Sequence, residues 1–371
     1  MRSRRSSFPS RTALIALTSL LALALAACGD GEGTTGPGAS GEPDPSGPVV
    51  TGPGPTEPGT TPDGSIEPVD LVVGLGYIPS VQFAPFYYAE QEGYYAEAGL
   101  TVEFQNRIDP DLITLVGQGD IDIGLGDGTS VIPAVSQGIP VRYIATVYGK
   151  FPSIVFAKES SGIRTVADLA GRKIGTPGRY GTGWVMLQAM FESAGLTEED
   201  VEVIEYPDFG QGAAVEQGAV DAATGFANNE PVVLELSGTP ATVLRVDDIV
   251  ALPGPGIIAG VGVLEDHPDA VQAFVSASLR AMEEIAANPE LGLDAALRAV
   301  PELAGDRERQ RAILAATIDT WRGPVQEERG LGAVDRDGWV ASIEFLEEMG
   351  LVPEPITIDD LLRDDLLPAG D

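Results

Sequence analysis

From residue 70 onward, short apolar runs alternate with helix-like segments, and the alternation occurs twice. Residues 70–76 carry Leu71, Val72, Val73 and Leu75 and read as a first strand. After the turn at Pro79 and Ser80, residues 83–97 fit an amphipathic helix closed by Gly99. Further strands are predicted over 100–104, 121–126 and 141–148, with helices over 111–119 and 130–137. Such a succession predicts an α/β fold with mainly parallel sheets covered on both faces.

The second run starts at 154–157. It continues through a short helix at 166–169, a strand at 173–175 and a helix at 182–194. Strands follow at 201–206 and 221–226, with a helix at 210–217 between them, and an apolar strand at 257–264. From Asp269 the pattern is helical to the end. Two doubly wound α/β lobes are predicted, at 69–155 with a return over 257–371, and at 156–256. Hinges are expected near 152–157 and 255–262. A ligand cleft between such lobes lies at the carboxyl ends of the strands.

The amino-terminal part has a different character. Arg2, Arg4, Arg5 and Arg11 precede an uncharged apolar run over 13–27, too short to span a bilayer comfortably. It predicts a signal peptide over 1–27, with the general secretion route preferred over the twin-arginine one. Leu25-Ala26-Ala27-Cys28 resembles a bacterial lipobox, which makes Cys28, the single Cys of the chain, the expected lipidation site. Residues 29–68 are dominated by Gly, Pro, Ser, Thr and acidic residues, and read as a flexible tether that cannot bury enough apolar surface to order itself. All 56 acidic residues follow the leader, against 18 of the 22 basic ones, a net charge of −38 that excludes nucleic acid as partner. Membrane contact is expected through the lipid only.

The usual catalytic machinery is missing. The single His, His267, stands in a polar helix-start sequence, and the single Cys is expected to be lipidated. No Cys–His pair, Ser–His triad or His-based metal site can be assembled, and no cofactor is expected. A carboxylate-dependent extracellular enzyme and a sensor lipoprotein remain as alternatives from other classes.

Candidate binding residues cluster at strand ends. The first strand runs into Gly76-Tyr77-Ile78-Pro79-Ser80-Val81-Gln82-Phe83, in a chain with only 6% aromatic residues. Tyr77 and Phe83 offer rigid rings for a flat ligand, and Gln82 can donate and accept beside them. Phe86, Tyr87 and Tyr88 are assigned to the core-facing side of the helix. Asp127, in Gly126-Asp127-Gly128-Thr129-Ser130, either accepts from a ring N–H or simply caps a helix. The turn 176–184 holds Tyr180, Thr182 and Trp184, with free amides that suit a carbonyl or anion. Tyr148, at the end of the fourth strand, joins the candidate lining. So do Asn228, Asn229 and Glu230, whose amides and carboxylate suit an N-heterocycle edge, the alternative being plain turn roles.

The segment 76–100, with Glu92-Gly93-Tyr94-Tyr95-Ala96-Glu97-Ala98-Gly99-Leu100, resembles the opening of the sulfonate, nitrate and taurine group of ABC solute-binding proteins. It is most similar to the branch that binds riboflavin or thiamine-pyrimidine precursors. Residues 117–124, 137–141, 168–175 and 218–222 fit the same pattern. The resemblance implies a type II periplasmic-binding-protein fold, expected here as a monomer, that delivers a small molecule to ABC permease subunits. The pyrimidine branch opens with Asp-Trp and has a His soon after; this chain has Gly76-Tyr77 and no nearby His, which favours a riboflavin-like ligand. The absence of an active-site His also argues against the related pyrimidine synthase. A sulfonate or nitrate ligand is the alternative, for which Arg179 and Lys150 are the candidate cations.

Overall fold

The computed structural model describes residues 68–107, 111–249 and 252–368. The leader, Cys28 and the tether lie outside the described residues. Among the described residues, ten strands form two five-stranded sheets. The first sheet has β1 (Val69–Leu75), β2 (Leu100–Asn106), β3 (Ile123–Gly126), β4 (Val141–Thr146) and β10 (Gly256–Gly260), in the order β2-β1-β3-β10-β4. The second has β5 (Ser153–Lys158), β6 (Lys173–Thr176), β7 (Glu202–Glu205), β8 (Ala222–Phe226) and β9 (Ala241–Arg245), ordered β7-β6-β8-β5-β9.

Each sheet is mainly parallel, as expected, with four strands running one way and a single strand running against them. β1 pairs in parallel with β2 and β3, and β6 with β7 and β8. β10 is antiparallel to β3 and β4, and β5 is antiparallel to β8 and β9. The cause is topological. β5 and β10 are the strands by which the chain arrives from the other lobe, so each enters its sheet at the cleft end and runs away from it. The chain therefore leaves the first sheet after Thr146 and the second after Arg245, a few residues before the expected hinges. The apolar stretch 257–264 is also not one strand: β10 ends at Gly260 and a helix, Val261–Asp266, follows.

β5 and β10 are buried along nearly their whole length, which is why they read as continuous apolar runs rather than alternating ones. In β1 the pleat separates the faces. Leu71 and Val73 pack in one core cluster and Val72 packs against another. The predicted 83–97 helix is interrupted. A helix over Ala84–Gln91 gives way at Gly93, whose φ of 78° breaks the helix before a short turn over Tyr94–Glu97. Phe86 and Tyr95 stack on Phe274 of the long helix Pro268–Ala287, with ring centroids 6.1 and 5.0 Å apart, and tie the carboxyl-terminal helices to the first sheet. The helix Arg336–Glu348 covers the other face through Trp339, Ile343 and Leu346. Beyond it the chain is not helical to the end; it closes with irregular backbone and two 3₁₀ turns. Among the described residues, no helix is long and apolar enough to cross a membrane.

Candidate functional site

The carboxyl ends of β1, β6 and β8 meet at one cleft between the lobes. The first lobe contributes Gly76, Tyr77 and Gln82, and the second Thr176, Pro177 and residues 180–183 together with residues 224–226, Asn229 and Glu230. Ser153, Phe209 and Gln211 complete the lining. The space they enclose is about 160 Å³.

Three rings frame the mouth. Tyr77 and Phe209 approach from opposite lobes, edge to face, with centroids 5.2 Å apart and planes at 87°. Phe209 adopts φ 59°, a left-handed conformation that costs a non-glycine residue on the order of 1–2 kcal/mol, and its turn projects the ring into the gap. Tyr180 is 45% exposed and folds over Gly178, where a Cβ would meet its ring at 2.2 Å. Only glycine permits that approach.

The floor is polar and buried. Thr176, Thr224, Gln211 and Ser153 are each at most 2% exposed. Thr224 donates to Thr176 Oγ1 at 3.1 Å, and Thr176 donates to the Gly178 carbonyl at 3.1 Å. Gln211 Oε1 and Ser153 Oγ have no hydrogen-bond partner among the described residues. A buried polar atom left unpaired costs about 1–3 kcal/mol, so these two groups favour a ligand that bonds to them. Glu230 Oε2 accepts from the Phe226 amide at 2.8 Å, and burial raises the carboxyl above its ordinary range despite that bond. Burial also pushes up the Tyr77 hydroxyl, aided by the nearby Glu230 charge and opposed by Arg309. The helix Gly181–Ser193 opens on the cleft through Gly181, Thr182 and Gly183, so the positive end of its dipole faces the ligand space.

Around this lining, several predicted residues do other work. Asp127 is 4% exposed and caps the helix Gly128–Ser136, accepting from the Thr129 amide and hydroxyl. Its second oxygen accepts from Thr182 Oγ1 of the other lobe at 2.6 Å. It therefore joins the lobes rather than lining the cleft, and desolvation raises its pKa against the pull of those donors. Asn228, 1% exposed, donates to Thr317 Oγ1 at 2.9 Å on the helix Arg307–Thr320, a second bond between lobes. Tyr148 is buried and donates to Gln82 Oε1 at 3.1 Å, holding that amide from behind.

Two predictions are corrected outright. Phe83 is 4% exposed in the core of the first lobe, because the 3₁₀ turn Val81–Phe83 faces it and Val81 inward and leaves Gln82 facing the cleft. Trp184 packs against the core of the second lobe and beneath Arg179, whose guanidinium lies 5.1 Å from its ring. Neither candidate cation reaches the lining. Arg179 pairs with Glu198 and Glu205, and Lys150 pairs with Asp319 at 3.1 Å. Sequence reading missed Ser153, Phe209, Gln211 and Thr224, and included Thr176 only as the first residue of the 176–184 turn. Applying the strand-end rule to β7 would have flagged the turn that carries Phe209.

Two mixed α/β sheets linked by two crossings, with a cleft at their strand ends, define the periplasmic-binding-protein fold. The periplasmic aliphatic sulphonate binding protein SsuA of Escherichia coli shares it, with a TM-score of 0.64, 18% identity, and 81% of this chain and 99% of that one covered. The NMT1/THI5-like family model matches residues 80–291, more than half of the chain, and the chain belongs to that family. The riboflavin-binding protein RibY of Chloroflexus aurantiacus is 37% identical over 227 residues, 60% of this chain and 64% of that protein. The 4-amino-5-hydroxymethyl-2-methylpyrimidine phosphate synthase THI13 of Saccharomyces cerevisiae is 26% identical over 231 residues, 58% of this chain and 66% of the enzyme. The match thus spans less than two thirds of the length of either relative.

Proposed function

We propose that this chain is the solute-binding component of an ABC importer and captures an uncharged, flat heteroaromatic solute, riboflavin-like in the first instance, between its lobes. The observation that carries this reading is the composition of the lining. Rings from both lobes frame a slot whose floor holds unpartnered Gln211 Oε1 and Ser153 Oγ, and no Lys or Arg lines it. A ring edge that alternates carbonyls and N–H groups matches that floor: its N–H groups meet Gln211 and Glu230, and its carbonyls meet the open amides at the start of Gly181–Ser193. A sulfonate or nitrate would lie in a slot whose one charged side chain is the Glu230 carboxylate, which disfavours an anion.

The same lining argues against turnover. Glu230 is the one carboxylate in it, so a pair of acids for glycoside hydrolysis is not assembled there. His267 sits between the helices Val261–Asp266 and Pro268–Ala287 and is not part of the lining, so it supplies no counterpart to a synthase histidine. We further propose that the protein works outside the cytoplasmic membrane as a monomer, tethered by a lipid on Cys28, and presents its closed lobes to the permease. Metabolic labelling with a fatty acid, lost in Cys28→Ser, checks the tether.

Isothermal titration with riboflavin, an aminopyrimidine and taurine tests the ligand class. Saturable one-to-one binding of riboflavin or the pyrimidine, weakened about tenfold or more by Gln211→Leu, is the expected result. Taurine binding without ring binding would refute it.

A further inference from the structure

A second cavity lies on the outer side of the Tyr77–Phe209 pair. It shares Tyr77, Phe209, Asn229 and Glu230 with the inner cleft, so the two spaces are neighbours across one wall of rings. The outer space is the larger, about 380 Å³. Its character also differs, since Ser80, Gln310 and three charged side chains (Asp208, Glu216 and Arg309) join the lining. Gln310 is 8% exposed and has no side-chain hydrogen bond among the described residues. Arg309 enters no ion pair there either, and its field reaches the Tyr77 hydroxyl.

We infer that this outer cavity is a subsite for an uncharged, hydroxyl-bearing chain attached to the ring, and that it selects against a phosphorylated one. The inference rests on the ring reading above and deepens it. Hydroxyls both donate and accept, which matches Gln310, Asn229 and Ser80 as well as the forks of Arg309. The discrimination follows from charge. Asp208, Glu216 and Glu230 outnumber Arg309, so the cavity is net negative when all are ionised. A phosphate monoester brings about −1.5 to −2 charges into that field. Asp208 and Glu216 are exposed, and the Gly210 amide that donates to Asp208 Oδ1 beside Phe209 keeps an acceptor when Asp208 becomes Asn.

The experiment is equilibrium titration of the full chain with riboflavin, its 5′-phosphate, and lumichrome, which keeps the ring and lacks the chain. Riboflavin is expected to bind about tenfold or more tightly than either of the others. Asp208→Asn combined with Glu216→Gln is expected to bring the phosphate towards riboflavin and leave lumichrome unchanged. Raising the salt concentration on the unaltered protein should act in the same direction. Lumichrome bound as tightly as riboflavin would overturn the chain subsite while leaving the ring reading intact. The phosphate bound equally or more tightly would overturn the discrimination. Failure of all three to bind would overturn this inference, and the ring reading falls with it only if the aminopyrimidine also fails to bind.

Discussion

The bond from Thr182 to Asp127 makes closure measurable with a single change. Thr182→Val keeps the side-chain shape and removes the hydroxyl that donates to Asp127 Oδ2 across the lobes at 2.6 Å. The acceptor is a carboxylate with 4% exposure, and a hydrogen bond to a charged group contributes about 1.5–3 kcal/mol. When the lobes part, water can replace Thr182, so the loss falls on the closed state alone. Because ligand is held only in that state, the affinity should drop by the same amount, roughly 10- to 150-fold. The melting temperature without ligand should hardly move, since Asp127 keeps its Thr129 donors within its own lobe. The assay pairs titration calorimetry with thermal melts at zero and saturating ligand. An unchanged affinity, or a fall in the unliganded melting temperature large enough to account for the loss, would refute this role for the bond.

Phe209→Gly removes the ring that meets Tyr77 and relieves the left-handed backbone, so ligand affinity should fall without any fall in melting temperature. Gly225→Ala places a Cβ 2.7 Å from Glu230 Oε2; the displaced carboxylate should weaken binding, while circular dichroism stays that of the folded protein. Glu230 gives a pH signature. Its pKa in the folded protein is raised above 4.5 by burial, so its contribution to stability is full below 4.5 and is lost as pH rises through the interval up to the raised value. Stability without ligand should accordingly fall as pH rises through that interval, and Glu230→Gln should flatten the part of the stability profile that Glu230 contributes.

Much of the site was legible because of one rule, that ligands sit at the carboxyl ends of strands in open α/β sheets. It placed Tyr77, Gln82, Tyr180, Thr182, Asn229 and Glu230 on one cleft from their positions alone. The rule fails for the crossing strands. β5 runs away from the cleft, so its amino end, Ser153, reaches the floor, and nothing in the local pattern of 153–158 reveals its direction. Phe83 misled because a single 3₁₀ turn decides which of residues 81–83 faces inward, and helical periodicity does not resolve a turn that tight. The roles of Asp127 and Asn228 were hidden for another reason. Their partners, Thr182 and Thr317, lie 55 and 89 residues away on the opposite lobe. The run 257–264 did not show where β10 became the helix at Val261, because small and apolar residues continue without a break across the junction.

The central claim is that rings from both lobes hold an uncharged heteroaromatic edge against Gln211 and Ser153. A crystal structure of the protein with riboflavin tests it most directly. The ring system should lie in the slot beside Tyr77, Phe209 and Tyr180, with polar ring atoms within hydrogen-bonding distance of Gln211 Oε1 and Ser153 Oγ. Ligand bound elsewhere, or a ring in the slot with Gln211 and Ser153 still unpaired, would contradict it.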